Sequence, residues 1–267
     1  MEPLDQGTSR SDRRRRMDGP VSEQSRSNQL RFNDNQVVAA YERLSGLMPD
    51  EEVLFRRFIP SKARVLDLGV GTGRTSTALA GRSSLYVGLD YAEEMVETAR
   101  RSNPGLDLRV GDATDLRDFA DESFEAVVFS YNGLDYIHPD SARSQGLREI
   151  RRVLVPGGVL LLARHNPRSV LARTGGSGRV VKRLAVAGYA SLRRSRRLIP
   201  TRAFWRGEGY VREPFKGGLI EHMATARRVQ GELARHGFRH ELTLGCHATR
   251  RTSAIWTPWY SYAFVAD

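Results

Sequence analysis

Cysteine is almost absent: Cys246 is the only one in 267 residues. No disulfide can therefore form within the chain, and a thiolate-ligated metal cluster is excluded. Lysine is nearly absent too, at Lys62, Lys182 and Lys216, so the positive charge is carried by arginine. No stretch approaches the ~18 consecutive apolar residues of a membrane span, and the N-terminus has no secretory apolar region. A soluble, cytoplasmic protein is the expectation. No H-x-x-x-H pair or carboxylate cluster has metal-binding spacing, so no metal is expected. No internal repeat is visible. With 40% hydrophobic residues, the chain can bury one large core, which favours a single elaborated domain over two.

The most informative run is Val65 to Arg74, V-L-D-L-G-V-G-T-G-R. An apolar strand ends in Asp67 and empties into Gly69, Gly71 and Gly73, with small helix-forming residues behind them. Glycine admits φ > 0 and close approach of a ligand to the main chain, and a helix N-terminus offers unpaired N–H groups. A tight turn with no ligand explains the glycines equally well on this segment alone. The dinucleotide fingerprint is G-x-G-x-x-G; here the spacing is G-x-G-x-G and Arg74 occupies the place of the last glycine. Asp67 would crowd a pyrophosphate, and a carboxylate there suits a cationic ligand.

The following hundred residues repeat a strand–helix alternation. Leu85–Leu89 is a second apolar run ending in Asp90, about 20 residues past the first glycine, where a ribose-binding acid falls. Asp90 also reads as a helix N-cap, since Glu93 and Glu94 fill a first helical turn. A third strand, Leu106–Val110, closes with Gly111-Asp112-Ala113, and a fourth, Phe124–Phe129, with Ser130. Leu147–Leu154 reads as helix, Pro156-Gly157-Gly158 as a turn and Val159–Ala163 as a fifth strand. This alternation predicts an α/β, Rossmann-like doubly wound sheet with helices on both faces. Phe238–Leu244 and Trp259–Ala266 read as the last strands, with Thr225 capping a helix to His236 between them and Leu219–Ala224.

These pieces together resemble the class I S-adenosylmethionine-dependent methyltransferases, small-molecule type. The resemblance rests on the Asp67 glycine loop, Asp90, Gly111-Asp112-Ala113 and Leu154-Val155-Pro156-Gly157-Gly158, over roughly residues 35 to 165. It implies S-adenosyl-L-methionine as cofactor and a mostly parallel sheet with an antiparallel last strand. By position, Gly69, Gly71 and Gly73 would pass under the methionine part and Asp67 would reach its ammonium. Asp90 would bond the ribose, Asp112 and the Ala113 amide would bond adenine, and Tyr91 and Met95 would line its pocket. Ser130 falls at the same crevice. Helices before the first strand close over the cofactor in this family, so Tyr41 in the helix Asn35–Leu47 is a further contact, or is simply packed.

Residues 167–212 hold eleven arginines and Lys182 against Glu208, which equals the chain's whole net charge of +11. Val180, Val181, Leu184 and Ala187 fall near helical spacing, predicting an inserted basic helical lid. A solvated lid, a surface for an anionic partner (nucleic acid or a carrier protein) and a membrane-surface helix are the competing readings. Residues 1–28 are polar, with arginine at 13–16, and read as a disordered tail; 29–267 form the single methyltransferase domain. An oxygen acceptor usually needs a base, for which His138, His165 and His222 are candidates, each with a plain structural alternative, with Tyr131 and Asp135 near the cofactor-facing end of the fourth strand. The expected activity is methyl transfer to an oxygen or nitrogen of a small metabolite, such as one of secondary metabolism. The alternatives are action on RNA or a carrier-bound substrate through 167–212, and a non-enzymatic nucleoside-binding protein.

Overall fold

The computed structural model describes residues 23–169, 205–212, 219–246, 248 and 257–267. Strands β1 (Ala63–Leu68), β2 (Ser83–Asp90), β3 (Asp107–Val110), β4 (Phe124–Phe129) and β5 (Leu154–His165) are joined to β8 (Phe238–Gly245) and β9 (Trp259–Ala266) in one sheet. The order is β3-β2-β1-β4-β5-β9-β8. All pairs among the first five strands are parallel, and β9 runs antiparallel to both β5 and β8. The last strand in sequence is thus the antiparallel one, as expected, and it lies inside the sheet with β8 at the edge. Connectivity reverses between β1 and β4, so the crevice sits above their carboxyl ends.

Side-chain alternation along the strands sends two apolar sets to opposite faces. Leu66, Leu68, Val127, Leu160, Leu162 and Phe264 pack with α6 (Asp140–Val153) and α7 (Ala226–Ala234). Val65, Val128 and Leu161 pack on the other face with α3 (Pro49–Phe58), α4 (Ser76–Ala80) and α5 (Glu93–Ser102). Glu93 and Glu94 open α5 while Arg100 and Arg101 close it, charges that oppose the helix dipole. A hairpin of β6 (Glu208–Arg212) and β7 (Ile220–Ala224) forms a second, two-stranded sheet.

Several expectations change. Residues 23–28 do not belong to a tail: they begin α1 (Glu23–Phe32), which leads into α2 (Asn35–Glu42). Low hydrophobicity hid α1 because much of its docking is polar. The Asn28 amide donates to the carbonyls of Tyr136 and Ile220, and its oxygen accepts the Ile220 N–H. Helix α2 stops at Glu42, short of the expected Leu47, and α3 begins at Pro49, a residue suited to a first helical turn. Residues 208–212 of the basic segment are strand rather than lid helix, because their backbone pairs with β7. The helical reading of 179–198 lies outside the described residues.

Candidate active site

The loop after β1 gives its three glycines different tasks. All have positive φ, at 62°, 55° and 84° for Gly69, Gly71 and Gly73. A Cβ on Gly69 would stand 2.8 Å from Phe129 Cε2, and one on Gly73 would stand 2.4 Å from Asn103 Nδ2. Packing demands glycine at both. At Gly71 the nearest atom to such a Cβ is Tyr41 Cδ1 at 3.8 Å, so this glycine alone leaves its face open toward the crevice. The Gly71 N–H donates to Asp90 Oδ2 at 2.8 Å, and the Ala92 N–H donates to Asp90 Oδ1 at 2.9 Å. Asp90 therefore ties the residue ahead of α5 to the glycine loop; the N-cap position itself is Ala92, not Asp90 as expected. Burial outweighs these backbone bonds and pushes its carboxyl up to about 6.

Asp67 is 1% exposed. Its Oδ2 accepts from the Thr75 and Tyr86 hydroxyls at 2.9 and 3.0 Å, while Oδ1 is buried without a partner. Burial raises its carboxyl to about 7, against the pull of those two hydroxyls and of Arg74. An unpartnered, hard-to-ionise carboxylate oxygen at the mouth of a glycine loop suits a ligand that brings a positive charge. A pyrophosphate would meet both this acid and Asp90. The donor set fits the ammonium and ribose of S-adenosylmethionine and disfavours a dinucleotide.

The adenine-side candidates differ in character. Tyr91 is half-buried, and its buried hydroxyl has no partner. Burial, then the charges of Asp90 and Asp112, push that phenol well up. Met95 is 1% exposed and packs with Phe32, Val38 and Tyr136, so it is a core residue behind the pocket. Asp112 Oδ1 accepts from the Thr114 N–H and hydroxyl, each at 2.8 Å, and this fixes the turn that carries Ala113. Ser130 accepts the Gly133 N–H through its carbonyl at 3.2 Å, which starts a turn where Tyr131 and Asn132 both take positive φ. Backbone strain of this kind gathers at functional loops.

Six rings form a circuit above the strand ends, joined by five ring contacts and closed by the strand pairing of Trp259 with His165. Tyr41 neighbours Phe32 and Tyr131 at 6.0 and 5.9 Å between ring centroids. Phe32 meets Tyr136 at 5.1 Å, and Tyr136 meets His165 at 6.3 Å. Tyr131 meets Trp259 at 6.2 Å, and Trp259 pairs with His165 across β5 and β9. Arg74 lies over the Tyr131 ring at 5.5 Å and is held by Glu51 in a two-pronged ion pair, both bonds 2.6 Å.

The three candidate histidines converge beside this circuit, and their partners separate their roles. The main-chain N–H and the Nδ1 of His165 both reach Asp135 Oδ2, at 2.7 and 2.9 Å. A carboxylate at Nδ1 puts the proton there and leaves a lone pair on Nε2. His222 Nδ1 instead accepts from Arg164 Nη2 at 2.8 Å, so its proton sits on Nε2. Burial, then the charges of Arg164 and Arg143, drive His222 down to about 4, and it stays neutral. The His138 ring meets Tyr210 edge-on at 4.7 Å, and its carbonyl accepts the Ser25 hydroxyl at 2.6 Å. Of the three, His165 has the geometry of a base.

Sequence reasoning missed the network behind that base. Arg164, fully buried, donates to Asp135 and to Glu232 Oε2, the latter at 3.2 Å. Arg143 bonds Glu232 Oε1 at 2.8 Å and the Tyr210 hydroxyl at 2.9 Å. Burial would raise the Asp135 carboxyl, but the Arg164 charge and His165 outweigh it and hold it below the ordinary range. The available signal was an arginine inside the apolar run Val159–His165, since an arginine on a covered strand must have a buried partner.

Among the described residues there is no group of three side chains that would hold a metal, and no helix long and apolar enough to cross a membrane. Residues 65–158 match the family model of a methyltransferase domain. The chain is 37% identical over 139 residues to a demethylmenaquinone methyltransferase of Clavibacter sepedonicus, covering 48% of this chain and 54% of that protein. It is 45% identical over 100 residues to the enzyme so named in Beutenbergia cavernae, covering 38% and 40%. The chain thus spans about half or less of the curated relatives it matches. A Mesorhizobium loti S-adenosylmethionine-dependent methyltransferase structure superposes with a TM-score of 0.59 at 21% identity, covering 81% of this chain and 97% of that one. Likeness at that identity establishes the fold, while the match over 65–158 carries the glycine loop, Asp90 and Asp112 with it. Residues 65–158 are thus a methyltransferase domain, set in a fold shared with S-adenosylmethionine-dependent methyltransferases.

Proposed function

We propose that this protein methylates a small, flat acceptor bearing an ionisable hydroxyl, a phenol, hydroquinone or enol. Methylation falls on that oxygen or on the adjoining carbon that its ionisation activates. The observation that carries this reading is the His165–Asp135 pair, bonded at 2.9 Å beside the aromatic circuit. S-adenosylmethionine supplies a methyl group already activated on sulfonium. What the chain adds is alignment, exclusion of water and a place for the acceptor's proton. Alignment of two reactants contributes on the order of 7–11 kcal/mol. His165 Nε2 takes the hydroxyl proton, and Asp135 stabilises the imidazolium that forms. A neutral amine needs no such base before attack, so the oriented histidine favours oxygen or activated carbon over nitrogen. The curated relatives named demethylmenaquinone methyltransferase point to the same acceptor chemistry.

The test is release of S-adenosylhomocysteine with panels of hydroquinones, phenols and amines. His165→Gln should lower kcat with hydroquinones and phenols by about 100-fold or more and leave donor affinity unchanged. Turnover confined to amines, or an unaffected variant, would overturn the reading.

A second reading has its own observation. A cleft of about 710 Å³ is lined by Arg168, Arg206, Arg227, Arg228 and Arg235, with Glu208 the only acid among the described residues that line it. It would seat an anionic carrier or RNA presenting the acceptor. Under this reading acceptor binding weakens steeply as salt rises; a flat salt response removes it.

A further inference from the structure

His165 is faced by charge from several elements. Asp135 approaches Nδ1 from the turn after β4, and Glu221 Oε2 on β7 stands 3.5 Å from the same nitrogen. The Tyr136 hydroxyl donates to that Glu221 oxygen at 3.3 Å. Arg164 on β5 grips Asp135 and extends to His222 on β7 and Glu232 on α7. Arg143 on α6 holds the far side of Glu232, with Tyr210 and Asp140 beyond it. Tyr262 on β9 adds a neutral phenol near Arg164. Among the described residues, two carboxylates thus face the imidazole, and the Arg164 guanidinium lies behind Asp135.

We propose that Arg164 is the positioning residue of the active site: it fixes Asp135 and, through its charge, sets the pH at which His165 becomes available as a base. This rests on the reading of His165 as that base. The guanidinium is planar and offers donors in a fixed fork, and here each of its nitrogens bonds a different partner, on the turn after β4, on α7 and on β7. Its removal would take a positive charge from beside Asp135, and a carboxylate relieved of that cation favours imidazolium next to it. Glu232 acts in the reverse sense. It draws on the same guanidinium, so neutralising it leaves more of the Arg164 charge to act on Asp135 and His165.

The experiment is an NMR titration of the His165 ring proton, assigned by its loss in His165→Gln, beside the pH profile of kcat/KM with a hydroquinone acceptor. In Arg164→Gln the midpoint should rise by about one pH unit or more, carrying the acid limb of the profile with it. In Arg164→Lys the charge remains and the fork is lost. There the midpoint should stay in place while kcat falls by about 100-fold through misplacement of the base. Glu232→Gln should move the midpoint down. The opposite signs of the two glutamine variants cannot come from general loosening. Unmoved midpoints, or shifts of the same sign, would overturn the proposal, and if Arg164→Gln does not fold, Glu232→Gln decides. Full activity in His165→Gln would sink the base assignment separately, with the titrations still testing the electrostatic link.

Discussion

Replacing Asp67 by asparagine should have opposite effects on the empty protein and on donor binding. Burial holds this carboxyl at about 7 against an ordinary 3.8. For a raised acid, the stability contributed by the protonated form is whole below about pH 3.8 and gone above about pH 7. At pH 8 the ionised side chain therefore costs the empty protein up to about 4 kcal/mol relative to a neutral one. Asparagine keeps an acceptor for Thr75 and Tyr86 but places an amide where the unpartnered Oδ1 now stands. A buried donor without a partner costs about 1–3 kcal/mol. The net is a gain of about 1–3 kcal/mol at pH 8, a rise of about 2–10 °C in Tm. That gain shrinks at pH 5, where Asp67 is already protonated.

Donor binding should move the other way. A bound ammonium stabilises the ionised carboxylate, and loss of one partner in a buried charge pair costs about 2–5 kcal/mol. The Kd for S-adenosylmethionine should therefore weaken by at least about 30-fold. Calorimetry at pH 6 in buffers of different ionisation enthalpy gives an independent check. The wild type should expel close to one proton from Asp67 on binding, a release the asparagine variant lacks. A variant that melts lower at pH 8 and binds the donor as tightly as the wild type would refute the reasoning, leaving Asp67 a structural acid.

Further outcomes follow from the same geometry. Gly73→Ala places a Cβ 3.2 Å from Ala99 Cβ as well as against Asn103, at φ 84°; it should lose about 2–4 kcal/mol in denaturant unfolding. Gly71→Ala should cost about 1 kcal/mol of stability and act mainly on donor affinity by calorimetry. Glu51→Gln strips the partner from Arg74 where both side chains are under a tenth exposed, and should cost about 3–5 kcal/mol in guanidinium melts. Asn28→Ala removes bonds to two carbonyls and one amide from a side chain in a 1% exposed residue, about 2–3 kcal/mol. Hydrogen exchange should show α1 opening while the sheet stays protected.

What was legible in the sequence followed from local pattern. β4 and β9 have the bounds that alternation and apolar runs suggest, Phe124–Phe129 and Trp259–Ala266. β5 begins earlier than the apolar run, because Leu154 already pairs with Phe124 before Gly157 turns at φ 74°. Strand periodicity cannot see a strand that bends through Pro156-Gly157-Gly158. Helix α6 likewise starts at Asp140, well before the apolar Leu147, since its first half presents Arg143 to Glu232 rather than an apolar stripe. The charged network was illegible for the same reason: its members lie on five elements, and only the fold brings Asp135, Arg164 and Glu232 into one chain of bonds. The histidines were visible as residue types, but what divides their roles is which atom faces each Nδ1.

Helix α1 ties the two halves of the site together. The Gln29 side chain donates to the Tyr91 carbonyl at 2.9 Å, on the nucleoside side of the crevice. One residue earlier, Asn28 grips Tyr136 and Ile220, on the side of the base. Phe32, a turn further on, fills the space between Tyr41, Tyr91 and Tyr136. A transfer reaction needs donor and acceptor walls held in fixed relation, and the sheet alone fixes only their floors: β1 and β2 below the donor, β5 below the base. The walls rise from separate loops after β2 and β4, which do not follow one another in the chain. A polar helix that bonds to the backbone of both supplies the missing constraint. Backbone carbonyls serve this purpose better than side chains, because their positions are already set by the turns that carry Tyr91 and Tyr136. An amphipathic helix would have covered the crevice with apolar surface; one that docks through amides registers it.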